Sequence, residues 1–170
     1  MIETKRLILR EMQQSDYKDL CKMLQDKDVM YAYEGAFSDD EAKCWLRKQL
    51  CRYKEDGFGL YAVILKETDE MIGQCGLTLQ DYNDEKVVEI GYLFQKAYWH
   101  NGYAIEAASA CKEYAFSVLD VDEVFSIIRD SNIPSQNVAK RNGMKKIDTL
   151  VKYYRGVEMP HYVFSIKRVK

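Results

Sequence analysis

Apolar positions along the chain switch between a period near two and a period near 3.6, and the switches mark out the elements. Arg6-Leu7-Ile8-Leu9-Arg10-Glu11 is a short apolar run bounded by charge and reads as a first strand. Ser15 offers an N-cap for a helix through about Leu24, with Leu20, Met23 and Leu24 on one face. A second helix has a stronger start: Ser38 and Glu41 stand at capping-box spacing, and Asp39, Asp40 and Glu41 suit the positive end of the helix dipole. Ala42, Trp45, Leu46 and Gln49 to Arg52 follow helical spacing to about Lys54, before Gly57. The intervening loop, Val29 to Phe37, carries Tyr31, Tyr33 and Phe37, which either pack beneath the surface or line a substrate pocket.

Phe58 to Leu65 and Met71 to Leu79 flank the polar run Lys66 to Glu70, a hairpin pattern, and a second polar turn at Asp81 to Glu85 leads into the strand Val87 to Phe94. Gly102 to Leu119 has Ile105, Ala108, Cys111, Ala115 and Val118 at helical period. Val124 to Ile128 is a short strand, and Pro134 and Gly143 bound a helix of about nine residues. Lys145 to Tyr153 and His161 to Lys167 close the chain around Arg155-Gly156. The order β-α-α-β-β-β-α-β-α-β-β predicts one α/β domain over residues 1–170, a mixed sheet with helices on both faces.

Composition narrows the classes. At 170 residues, 47% apolar and 31% charged, the chain suits a single folded domain rather than a disordered one. A net charge of −2 argues against wholesale nucleic-acid binding, which calls for a basic excess, and the basic tail Lys167 to Lys170 is too short to change that. No apolar run approaches the ~20 residues of a spanning helix, and Met1 to Arg6 lacks a signal-peptide stretch, so no membrane partner and a cytoplasmic setting are expected. Five cysteines without CxxC spacing are expected as free, mostly buried thiols. Two histidines remote from them in sequence make a zinc site a poor expectation, so no metal is expected.

The candidate chemistry begins at Trp99-His100-Asn101-Gly102-Tyr103-Ala104, where a strand ends and a helix starts with Gly and Ala two apart. The first amides of a helix have no internal partner and lie at its positive end. Small residues there let a pyrophosphate approach, although the same residues also serve plain helix packing. GxxxxGK[ST] and GxGxxG are both missing, which sets aside the P-loop and dinucleotide readings.

A second stretch, Asn132-Ile133-Pro134-Ser135-Gln136-Asn137-Val138-Ala139-Lys140-Arg141-Asn142-Gly143-Met144, fits N-x-x-S-x-x-x-x-K-x-x-G-[FM]. With Glu89-Ile90-Gly91-Tyr92, the W-x-x-G-x-A turn and Glu106-Ala107, it resembles the GNAT superfamily of N-acetyltransferases, and its RimJ/RimL-like branch in particular. Thr4 to Arg10 and Met71 to Leu77 resemble that branch's opening and third strands, so the likeness spans nearly the whole chain. Trp99 departs from the Gln or Arg of many members but is usual in the branch.

The resemblance implies a mostly antiparallel central sheet that splays into a V between two central strands. It also implies acetyl-CoA as co-substrate, its pantetheine pairing with the backbone of Tyr92, Leu93 and Phe94 and its pyrophosphate on the amides of His100, Asn101, Gly102, Tyr103 and Ala104. Asn132 would reach the pantetheine, and Asn137 and Lys140 the nucleotide end.

Transfer from a thioester to an amine needs a neutral amine and a proton for the departing thiolate. An α-amino group in an unfolded peptide titrates at about 7.7–8.0, and a positioned base removes its proton. Glu89 is the candidate base; the alternative is a strand glutamate facing solvent or pairing with a lysine. The resemblance makes Ser135, a serine where many members have tyrosine, the candidate acid or thiolate stabiliser, and its place in the first turn also suits a helix cap. Glu158 and His161 in the last hairpin, with Tyr31 and Tyr33, are candidate acceptor contacts, although His161 also reads as a packed histidine. Glu106 either pairs within its helix or orients the turn. The acceptor is a primary amine, either a protein N-terminal α-amine or a small molecule, on a monomer or homodimer. The rival expectation is a degenerate domain that binds acetyl-CoA as a sensor or interaction module without a working base.

Overall fold

The computed structural model describes residues 1–170. Its elements run β1 (Ile2–Glu3), β2 (Leu7–Arg10), α1 (Tyr17–Leu24), α2 (Asp39–Glu55), β3 (Leu60–Leu65), β4 (Glu70–Tyr82), β5 (Glu85–Phe94), α3 (Tyr103–Ser117), β6 (Glu123–Arg129), α4 (Ile133–Arg141), β7 (Lys145–Tyr154) and β8 (Val157–Lys167). The strands form one sheet in the order β1-β2-β3-β4-β5-β6-β8-β7. Every neighbouring pair is antiparallel except β5 with β6.

Helices cover both faces, which is why every residue of β3 is buried. Its side chains alternate: Tyr61, Val63 and Leu65 join Ala107, Ala108, Cys111 and Ala115 of α3 in one core cluster. Leu60, Ala62 and Ile64 join Leu20, Met23 and Leu24 of α1 and Ala42 and Leu46 of α2 in the other.

Local signals set several boundaries. The capping box of α2 forms: Glu41 N–H donates to Ser38 Oγ at 3.2 Å, and Ser38 N–H donates to Glu41 Oε1 at 3.0 Å. Gly143, at φ +86°, stops α4 in the left-handed region. Ser15, in contrast, does not cap α1. Residues 14–16 form a single 3-10 turn, and Asp16 stands at the N-cap with its carboxylate turned to the Gln13 amide (2.7 Å) and the Arg10 guanidinium (2.8 and 2.9 Å).

Several strand boundaries differ from the periodicity, among them the start of β3 at Leu60 rather than Phe58. Ile2–Glu3 pairs with β2 as an additional short strand. The turn expected over Asp81 to Glu85 shrinks to Asn83 and Asp84, both left-handed (φ 50° and 62°), so β4 and β5 run right up to it. β8 starts at Val157 and passes through Pro160. The cysteines are all free, but only Cys75 and Cys111 are buried; Cys44 and Cys51 lie exposed, seven residues apart on the outer side of α2.

One departure from regular pairing organises everything else. β4 and β5 match along ten residue pairs, whereas β5 and β6 share only Glu89 with Phe125. Past that pair the strands part, and the sheet is split at its centre.

Candidate active site

The split exposes backbone selectively, because alternate peptide groups of a strand point to opposite edges. Ser126 Oγ donates to Ile90 O at 2.8 Å on the β6 side, while Gln95 N–H donates to Ile72 O at 2.9 Å on the β4 side. Tyr92 and Phe94 share the parity of Ile90 and turn their peptide groups into the split; Leu93 turns to β4. The Phe94 carbonyl already accepts the Trp99 indole N–H at 3.0 Å. Tyr92 is therefore the residue of the expected trio with both backbone groups open to the split.

Glu89 sits where the strands begin to part. Its Oε2 accepts the Ile127 N–H at 3.0 Å, so a carboxylate replaces the missing β5 ladder partner of that amide. Burial raises the Glu89 carboxyl above the usual 4.5, and Lys152, the Ile127 amide and Arg52 pull it only partway back. It faces neither open solvent nor an ion-paired lysine. It lines a cavity of about 520 Å³ on the α2 side of the split, together with Tyr33, Tyr92, Asn132, Ser135 and His161.

Across the split stands the start of α4. Asn132 is its N-cap, with Oδ1 accepting both the Ser135 N–H (3.3 Å) and the Tyr31 hydroxyl (2.9 Å). The Tyr92 hydroxyl donates to Ser135 O at 2.6 Å, bridging the gap. Ser135 is thus pinned through its backbone on both sides, the capping role falls to Asn132, and the Ser135 hydroxyl is left without a protein partner. Asn137 and Lys140 lie on the outside of α4, away from the cavity.

The turn from Trp99 to Ala104 has its own support. His100 (φ 63°) and Gly102 (φ 78°) are both left-handed. A Cβ at Gly102 would stand 3.5 Å from Arg6 Nη2, an ordinary contact, so conformation rather than crowding calls for glycine there. Asn101 Nδ2 closes the turn onto Tyr98 O (3.2 Å) and Trp99 O (2.9 Å). Glu106 reaches beyond its own helix: it accepts from Thr4 Oγ1 (2.6 Å), Arg6 N–H (2.9 Å) and Arg6 Nε (2.6 Å). Arg6 in turn donates to Asn101 O at 3.0 Å and lies 4.4 Å over the Tyr103 ring. The opening Thr4-x-Arg6 segment therefore holds the turn, and the leading amides of α3 and the exposed His100 amide suit an anionic pyrophosphate.

In the last hairpin, strand alternation separates the candidates. His161 and Met159 line the cavity, whereas Glu158 is exposed on the other face of β8, within 3.3 Å of the Tyr153 hydroxyl. His161 Nδ1 lies 2.7 Å from Met159 O. A carbonyl oxygen only accepts, so Nδ1 carries the proton and a neutral ring keeps its lone pair on Nε2. Burial keeps His161 below 6.5, with Lys152 and Arg129 adding to it against the Met159 carbonyl and Asp130.

Tyr33 packs edge-on against Phe37 and Trp45, and burial, with Glu89 and Tyr154 behind it, pushes its phenol up to about 12. The sequence pattern did not single out Lys48, Arg52 and Lys152, which also line the cavity. A trace was present: Trp45, Lys48 and Arg52 fall at i, i+3 and i+7, one face of α2. No group of three His, Cys, Asp or Glu is placed to hold a metal ion. No helix is long and apolar enough to cross a membrane.

Residues 6–145 match the family described as "Acetyltransferase (GNAT) domain". The "Uncharacterized N-acetyltransferase YnaD" of Bacillus subtilis is 35% identical over 146 residues, covering 85% of this chain and 82% of its own. A solved GNAT-family acetyltransferase from Bacillus anthracis superposes with a TM-score of 0.82 at 25% identity, covering 98% of this chain and 97% of its own. RimL, a ribosomal L7/L12 α-N-protein acetyltransferase solved with coenzyme A, shares the fold at a TM-score of 0.80 and 16% identity, covering 96% and 95%.

Proposed function

Because the chain belongs to the GNAT acetyltransferase family, we propose that it moves the acetyl group of acetyl-CoA directly to a primary amine, as a member of the RimJ/RimL-like branch. The acceptor is a protein N-terminal α-amine or a small-molecule amine. The observation that carries this reading is the split itself, with the Tyr92 peptide open, Glu89 at its vertex and the unpartnered Ser135 hydroxyl across it. The turn at His100 to Ala104 supports the same donor, since left-handed residues and free helix amides suit a pyrophosphate. Five free thiols fit a cytoplasmic setting.

When bound, acetyl-CoA supplies an activated thioester carbonyl. The Tyr92 backbone would pair with the pantetheine arm, and the Asn132 side-chain amide, its oxygen already engaged, would offer Nδ2 to the same arm. The amides from His100 to Ala104 would hold the pyrophosphate, and Asn137 and Lys140, exposed on α4, would meet the nucleotide end. Glu89 takes the amine proton at Oε1, because Oε2 is tied to Ile127. Ser135 Oγ donates to the departing sulfur. With its pKa raised, Glu89 ionises only above 4.5, so the rate rises with pH through that elevated value.

Thiol release is measured over a panel of amines that includes ribosomal-protein N-terminal peptides and polyamines, with acetyl-CoA binding followed by calorimetry. Turnover with at least one class is expected, and Glu89→Gln should lower kcat/KM by ~10² or more. Near-wild-type turnover of Glu89→Gln with unchanged acetyl-CoA binding sinks its role as base and leaves His161 Nε2 in its place. Tight binding without turnover of any amine favours a sensor.

A further inference from the structure

The cavity beside Glu89 is unevenly charged. Four basic side chains line it, Lys48 and Arg52 from α2, Arg129 from β6 and Lys152 from β7, against the single carboxylate of Glu89. Arg129 is matched by Glu34, with which it forms an ion pair. Lys48, Arg52 and Lys152 form no ion pair within the protein; the one side-chain bond among them runs from Arg52 to Gln49 Oε1 at 3.2 Å. Three cations thus converge on one wall with a single anion between them.

Their surroundings agree with that geometry. Burial lowers Lys48, and repulsion from Arg52 and Lys152 adds to it, against the nearby Cys44 thiol. Burial likewise lowers Arg52, with Asp56 and Glu89 offsetting it. Like charges held together in a half-buried cleft cost free energy unless an anion joins them. The neighbouring wall is aromatic, formed by Tyr33, Phe37, Trp45 and Tyr154, and Arg155, ion-paired with Glu41, lies over the Phe37 and Tyr154 rings at 5.8 and 5.4 Å.

Resting on the acetyl-transfer reading above, we propose that the acceptor is a small primary amine that also carries a carboxylate, an amino acid or a close analogue, seated with its anion on Lys48, Arg52 and Lys152. The complementarity is one of sign as much as of contact. A polyamine would bring two or more positive charges to a wall that already holds three, a mismatch that rejects it. The same cations disfavour the ammonium form of a bound amine and so favour the neutral nucleophile that attack requires. With the acid end on Lys48, Arg52 and Lys152, the amine end is left to reach Glu89 Oε1, the oxygen not held by the Ile127 N–H.

The test compares alanine, phenylalanine and glutamate, each with its α-carboxamide, against spermidine, by thiol release, with acetyl-CoA affinity measured separately by calorimetry. At least one amino acid should exceed its carboxamide tenfold or more in kcat/KM, chiefly through KM, and spermidine should be the poorest acceptor. Arg52→Gln and Lys152→Gln should each lose tenfold or more with the amino acid beyond any loss with the carboxamide, which reports the further rise of the Glu89 carboxyl when a neighbouring cation goes, and nothing in acetyl-CoA affinity. Lys152→Glu, on a half-buried strand position that tolerates the change in size, should shift preference toward spermidine. Equal rates for acid and carboxamide, or a wild-type preference for spermidine, overturns the inference while leaving acetyl transfer intact. Failure of every amine despite acetyl-CoA binding overturns acetyl transfer and this inference with it.

Discussion

Glu106 ties the first strand to the start of α3, and removing its carboxylate tests whether that tie shapes the donor site. In Glu106→Ala three donors lose their acceptor: Thr4 Oγ1, the Arg6 N–H and Arg6 Nε. A bond to a charged acceptor contributes about 1.5–3 kcal/mol, but the Arg6 side chain is 40% exposed and its ion pair is screened by water. Taking about 1.5 kcal/mol for the amide, about 1 for Thr4 and about 0.5 for the guanidinium gives a loss of about 3 kcal/mol. Glu106→Gln keeps one acceptor oxygen and should lose about 1–1.5 kcal/mol. Urea unfolding at constant slope reads both values.

The loss should also depend on pH in a known direction. Burial alone would raise the Glu106 carboxyl, but Thr4 and Arg6 outweigh it and hold the group below 4.5. A depressed folded-state value stabilises the protein above the unfolded pKa, and this is lost as pH falls through the lower, folded value. Wild-type stability should therefore fall below about pH 4.5 more steeply than that of Glu106→Gln. Because Arg6 also holds Asn101 O, the slackened turn should raise the Kd for coenzyme A about tenfold, or about 1.4 kcal/mol. A loss below about 1 kcal/mol in Glu106→Ala would refute the energetic argument, and an unchanged Kd would refute the link to the turn.

Two further outcomes follow from single contacts. Ser38→Ala opens the capping box of α2 and should cost about 1 kcal/mol in urea unfolding, with thiol release unchanged once folded; no change would mean that water replaces the cap. Ser135→Ala should lower kcat about tenfold or more while leaving acetyl-CoA affinity within twofold, because Asn132 rather than Ser135 caps α4; a parallel loss of affinity would assign the hydroxyl to binding instead.

What could be read from residue order was local. The capping box at Ser38, the Pro134 start and Gly143 stop of α4, and the W-x-x-G-x-A turn depend on neighbours within a few positions, and the structure has each of them. The Asp16 carboxylate was harder to place, because its partner Arg10 lies in another element. Glu158 and His161 looked alike in a sequence that carries no strand register, yet alternation sends them to opposite faces of β8. The cations Lys48, Arg52 and Lys152 come from α2 and β7, about a hundred residues apart, and only folding sets them on one wall. Glu106 was ambiguous for the same reason: its partner Arg6 lies 100 residues upstream.

The split between β5 and β6 divides the chain in time as well as in space. Strands β1 to β5 lie side by side in the order in which they are synthesised, and β6, β8 and β7 form a second leaf from the final third of the chain. Each leaf is stitched by strand pairings within itself, and Glu89 with Phe125 is the one ladder pair between them, while the core under α3 and the Tyr92–Ser135 bond also span the split. The candidate groove accordingly lies at the seam between two leaves, and its two walls can diverge in sequence without disturbing the strand pairing within either leaf.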